Sequence, residues 1–210
     1  IRKTERGPPK SGVVGLLAAA LGRRRDESLD DLAAFKFGSR RVKEGELLKD
    51  FHMVLKDKKT SYVTTRYYLA DAIFLVGLES QDENFLKMLD EALQAPVFPL
   101  FLGRRSCPPT LPLSLGIRQT DLLTALQEEP WQVSKWEQER IKRKQDSYTM
   151  RIVTDALKQE AYPVYQKDLP ESFNPMFRKY GYRMVKEHKP FHITFQNAEE
   201  RFHTEHDPMK

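Results

Sequence analysis

A chain of 210 residues, 40% hydrophobic and 31% charged, can bury a core without disulfides or a structural metal. Its single cysteine excludes a disulfide framework and a cysteine-based zinc site, and points to a reducing compartment. No apolar run reaches the ~18–20 residues of a membrane span. The net charge is only +5, but residues 1–25 hold seven basic side chains against Glu5 alone, and 92–120 contain three arginines and no acid. Such local positive surface is the footprint of a polyanion site. It equally fits cations that merely solvate exposed faces.

Taken in chain order, Pro8 and Pro9 hold a basic lead-in extended. Ser11 is placed to cap a helix running to about Leu21, with Gly22 as its stop. The body VVGLLAAAL is apolar almost all round, which requires burial. Gly12, Gly15 and Ala19 leave one face without bulk, open to close approach by a strand or a nucleic-acid backbone. A short helix follows at 30–35 and a strand at 37–42, whereas the Lys-rich stretch 43–61 reads as an insertion or loop. Runs 62–69 and 72–78 are β-prone, and Phe85, Leu86, Leu89 and Leu93 give 83–94 a helical stripe. VFPLFL reads as an apolar strand that ends in the turn GRRSC. Beyond it, Thr120 caps a helix to Gln127, residues 136–145 are basic and helical or loop-like, and strands resume at 148–155 and 182–185.

Helix, strand, strand, helix, strand over 11–102 is five-sixths of a βαββαβ ferredoxin-like unit. The missing element is a first strand expected before Lys10.

Three segments carry candidate chemistry. GPPKSG fails as a P-loop, because Pro9 replaces the glycine before Lys10 and prolines delete phosphate-binding amides. Lys10 and Ser11 at a helix start, with amides at Gly12 and Val13, can still hold a backbone phosphate, or simply cap the helix. The Arg104–Arg105 pair in LGRRSCPP offers forked donors and flat stacking faces, or a plain polar turn tip. Cys107 beside them is an activated thiol or a small buried one. In TTRYYLADA, alternation puts Arg66 and Tyr68 on one strand face and Tyr67 on the other, a pattern suited to base stacking or to core. His52 is a candidate general base for RNA cleavage, with Lys49 or Tyr67 as partner. The tail HTEHD has ligand-type residues without a metal-site pattern.

PPKSGVVGLLAAALGRRR together with PVFPLFLGRRSCPP resembles the CasD-type subunits of the type I-E CRISPR Cascade complex, within the RAMP superfamily. DFHMV, TTRYYLADAIFLVGLE and SFNPMFRKYGYRMV extend the likeness over most of the chain. The family's opening strand is absent, and the stretch between His52 and Tyr62 is short. The resemblance implies an α+β, RRM-related ferredoxin-like domain over 1–110. A thumb-like insertion would lie within about 38–66, and a C-terminal α+β extension would cover 111–210.

The resemblance also implies a cytoplasmic, non-catalytic subunit that holds the 5′ handle of CRISPR RNA (crRNA) without cofactor, metal or membrane. Its partners would be the backbone subunit and the large PAM-reading subunit, with target DNA reached through the complex. By that resemblance Lys10, Ser11 and Gly12 and the turn Arg104, Arg105, Ser106 and Cys107 would face the handle, and the thumb would wedge between handle and guide; Arg23, Arg66 and Tyr67 complete the residues expected against RNA. Relatives in another subtype cleave precursor RNA without metal, so an endoribonuclease based on His52 is the alternative.

Overall fold

The structure is a computed structural model that describes residues 4–55, 61–156 and 163–195. Helix α1 (Lys10–Ala20) begins where the extended Pro9 ends. It stops at Gly22, whose φ of +77° lets its own N–H reach Ala19 O and lets Arg23 N–H reach Ala18 O. These are the two bonds of a Schellman stop. The cap expected of Ser11 is not made, because the residue sits inside the first turn.

After the single-turn α2 (Asp30–Ala33), strand β1 (Lys36–Lys43) enters the main sheet. Strands β2 (Glu46–Leu55) and β3 (Ser61–Ala70) pair only with each other as a two-stranded hairpin, and β4 (Ile73–Glu79) returns antiparallel to β1. The insertion is therefore a β-ribbon built from 46–55 and 61–70 rather than a loop over 43–61, and residues 38–43 of the expected 38–66 thumb belong to the main sheet. The chain leaves the ribbon through Asp71, held at φ 55°.

Helix α3 (Glu83–Gln94) keeps its expected limits, and Asp82 caps it by accepting from Phe85 N–H at 2.9 Å. The following apolar stretch is not a strand. Pro96 and Pro99 lack ladder donors, and Val97 N–H and Phe98 N–H instead bond Ala20 O and Ala19 O at the end of α1. Helix α4 (Leu122–Glu128) is capped by Asp121, one residue after Thr120, through bonds from the amides of Leu123 and Thr124. Helix α5 (Lys135–Lys142) precedes β5 (Ser147–Asp155), β6 (Val164–Ser172), β7 (Lys179–Glu187) and β8 (Phe191–Thr194).

The main sheet runs β4-β1-β5-β7-β6, with β8 paired to β5. Since β1 pairs β4 on one side and β5 on the other, the sheet has no break at residue 110. Helices α1, α2 and α3 cover one face, where Val14, Leu17, Leu32, Phe37 and Leu89 form the main core. Helix α4 covers the other face over β4, β1 and β5, seating Leu122 and Leu126 on Gly38 and Gly77. A Cβ at Gly77 would lie 2.4 Å from Leu122 Cδ1. Arg40, 1% exposed, donates to Leu126 O, Glu129 O and Pro130 O at 2.7–2.8 Å. A buried cation thereby closes the C-terminus of α4, although burial lowers its pKa from the ordinary arginine value.

The most constrained polar feature lies under α1. Lys10 Nζ donates to Phe35 O at 2.6 Å and to Asp155 Oδ2 at 3.1 Å, while Lys10 N–H donates to Asp168 Oδ2 at 2.8 Å. Arg183 bonds Asp168 through Nε at 2.6 Å and Nη2 at 2.9 Å, and Asp155 through Nη1 at 2.5 Å. Phe37 N–H also donates to Asp155, and the Phe37 ring lies 5.0 Å from the Arg183 guanidinium. Burial would lower the Arg183 pKa, but the bonds and charges of Asp168 and then Asp155 outweigh it and hold it raised.

Two consequences follow for stability. Asp168→Ala removes two of the buried Arg183's carboxylate bonds and the acceptor of the Lys10 amide, and should cost about 3–5 kcal/mol in urea denaturation. A loss below about 1 kcal/mol would show the network to be dispensable. Gly77→Ala should cost about 1–3 kcal/mol by overpacking α4, and an unchanged midpoint would mean that α4 can shift away freely.

Candidate nucleic-acid interface

The strap 96–103 runs from the end of α1 to a tight turn. Gly103, at φ +71°, makes the bend. Arg104 N–H bonds Leu102 O, Cys107 N–H bonds Arg104 O, and Leu102 N–H bonds Cys107 O, all at 2.8–2.9 Å. The turn is therefore fixed by its own backbone, and it meets the ribbon near the ribbon's root. Arg104 Nη1 donates to Tyr67 O at 3.0 Å, and its guanidinium lies 5.0 Å from the Tyr68 ring centroid. Ser106 Oγ donates to Tyr68 Oη at 3.3 Å. Residues almost forty positions apart in sequence thus form one cluster.

Electrostatics follow from this packing. The bond from Ser106, then the nearby Arg66 and Arg104, hold the Tyr68 phenol below the ordinary tyrosine pKa. Arg66 follows the same strand-face alternation as Tyr68, and its Nε is a buried donor without a hydrogen-bond partner. Arg105 and Ser106 are exposed, and Cys107 is half-buried. Forked cations and a hydroxyl on a rigid turn, with a phenol on the adjoining strand, can hold a phosphate and stack an unpaired base.

The ribbon's pairing separates two surfaces. Leu47, Lys49, Phe51, Met53 and Leu55 face one way with Val63, Tyr67 and Leu69; Asp50 and His52 face the other with Arg66 and Tyr68. Phe51, Met53 and Leu55 are 66–73% exposed. Tyr67 therefore joins the cluster through its carbonyl, with its side chain on the apolar face. His52 cannot pair with Lys49 or Tyr67, which lie across the ribbon; its Nε2 is 2.5 Å from Asp50 Oδ2. It is also four rungs from Tyr68, about 13 Å at the usual strand rise.

The expected phosphate site at the start of α1 is corrected. Lys10 is 5% exposed, and its ammonium is committed to Phe35 and Asp155. The amides of Gly12 and Val13 both bond Pro9 O. The carboxylate of Asp168 occupies the anion position at the helix start. The small-residue face is filled by protein: Leu102 Cδ1 would lie 3.3 Å from a Cβ at Gly12, and Phe173 Cε2 3.3 Å from one at Gly15. Ser11 is half-buried beside them. Arg23 is likewise spent, its fork bound to both oxygens of Asp31, a bond that raises its pKa.

Of the ten expected residues, the structure gathers Arg66, Tyr67, Arg104, Arg105, Ser106 and Cys107 around the turn and leaves the other four elsewhere. Tyr68 is the central residue missing from that set; its alternation with Arg66 was the available signal. Among the described residues, no helix is long and apolar enough to cross a membrane and no His/Cys/Asp/Glu group could hold a metal. The HTEHD tail lies outside the described residues.

Comparison with known proteins places this geometry in a family. Residues 1–186 match the family described as CRISPR-associated protein (Cas_Cas5). The chain is 34% identical to the CRISPR system Cascade subunit CasD of Escherichia coli (strain K12), over 56% of this chain and 62% of the relative, so the match spans under two-thirds of that relative's length. It superposes on a structure titled as a crystal structure of a Cas protein with a TM-score of 0.67 and 36% identity, covering 89% of this chain and 83% of the other. A chain from a CRISPR RNA-guided surveillance complex gives a TM-score of 0.72 and 28% identity, covering 91% and 82%. The turn, the ribbon and the α+β sheet behind them are therefore features of a protein that belongs to the CRISPR-associated Cas5 family.

Proposed function

We propose that the chain is a non-catalytic, RNA-binding subunit of a type I-E CRISPR surveillance complex. In this reading it holds the 5′ handle of crRNA and packs against the backbone subunit and the large PAM-reading subunit. Target DNA is reached through the complex. The observation that carries the reading is the Arg104–Tyr68–Ser106 cluster at the root of the ribbon. It joins the Arg104 guanidinium and the Ser106 hydroxyl, on a turn whose backbone is self-bonded, to the Tyr68 phenol of β3. Phosphate contacts there would position the handle, and unpaired bases would be read by edges and stacking. The apolar ribbon face, with Phe51 and Met53 outward, suits a wedge between handle and guide.

Arg104→Ala should weaken binding of handle RNA by about tenfold or more at physiological salt, with Arg104→Lys failing to restore it because an ammonium has neither fork nor stacking plane. Fluorescence anisotropy with the full chain measures this, alongside circular dichroism to confirm the fold. Wild-type affinity in both variants would remove the turn from the site.

A second reading rests on the His52–Asp50 pair, a base beside an orienting carboxylate. In an endoribonuclease, His52 would take the proton of the attacking 2′-hydroxyl. Incubation of the chain with repeat RNA and EDTA should leave the RNA intact. Cleavage that disappears in His52→Ala would establish the enzyme instead.

A further inference from the structure

Helix α4 lies over β4, β1 and β5, so among the described residues no helix covers the same face of β6 and β7. The register identifies what faces outward there. Thr154, whose Cγ2 lies beside Gly38 under α4, is opposite Lys186; Met184 and Tyr182 follow on that face, and Tyr165 is opposite Met184. Lys167 completes the set, its ammonium 5.4 Å from the Tyr182 ring centroid. Tyr165 is 68% exposed and Tyr182 62%.

We propose that Tyr165, Lys167 and Tyr182 form a second RNA-contacting surface, a stacking platform for unpaired bases of the same RNA that the Arg104 turn holds. The proposal rests on the handle-binding reading. Two exposed aromatic rings face outward with the Lys167 ammonium against one of them, so the platform pairs stacking faces with a cation that complements an anionic strand. Planar rings on a sheet surface match unpaired bases, and stacking tolerates any sequence. The platform is also rigid before binding, because the opposite face of β6 and β7 carries the bonds of Arg183 to Asp168 and Gln166. Little ordering is left to oppose association.

The test uses the full chain and a single-stranded RNA with the repeat-derived handle at its 5′ end and an unpaired extension beyond it. Affinity is measured for Tyr165→Ala/Tyr182→Ala, for Arg104→Ala and for wild type, with ultraviolet crosslinking to locate contacts. Exposed tyrosines can be removed without unfolding, which circular dichroism checks. Each lost stack should weaken binding by about tenfold. The loss should need the extension, and wild-type crosslinks should include Tyr165 or Tyr182. Normal affinity in the double variant with a loss in Arg104→Ala overturns the platform while leaving the handle site standing. Normal affinity in both variants overturns both. Loss of a protein partner without loss of RNA affinity, or preference for single-stranded DNA of equal length, also overturns the platform.

Discussion

Two acids and two bases under the first helix hold the protein together. Lys10 comes from α1, Asp155 from β5, Asp168 from β6 and Arg183 from β7, and the Phe37 amide of β1 joins them. A buried charge without a partner is costly, so each group commits its element to one position. Here the network sets how the C-terminal strands lie against α1, and α1 in turn anchors the strap that presents Gly103–Cys107.

This constraint explains what was visible in the sequence and what was not. The limits of α3 were legible because its stripe and cap are local: Phe85 to Leu93 repeat at helical spacing, and Asp82 stands three residues before Phe85. The role of Lys10 was hidden. A lysine and serine at a helix start suggest a phosphate site, but Asp155 and Asp168, 145 and 158 residues away, decide the matter. Strand β6 was not legible for the same reason, as VYQKDLPES contains a proline and an acid, Asp168, that the distant Arg183 and Lys10 amide make compatible with burial. The β2 segment escaped for the opposite reason. Both faces of the ribbon are largely exposed, so ELLKDFHMVL shows no burial-driven alternation to read.

The candidate site shows the same division. Arg104, Arg105 and Arg66 were singled out from glycine-turn and strand patterns, which are local. Their meeting was not legible, because it depends on the strap bonding the end of α1 through Val97 and Phe98. The acid-free stretch from 92 to 120 acquires a physical sense in this light. It carries its arginine pair to a ribbon root already holding Arg66. Arg23 is neutralised by Asp31 and Lys10 by Asp155, so a modest net charge still leaves a concentrated cationic site.

The central claim is that RNA lies at the turn and ribbon root, and not at the start of α1. Hydrogen–deuterium exchange of the full chain with and without handle RNA tests it most directly. The account predicts new protection at residues 66–68 and 102–107, with the amides of Lys10, Gly12 and Val13 unchanged because Asp168 and Pro9 O already bind them. Protection gained at 10–13 with none at the turn would contradict it.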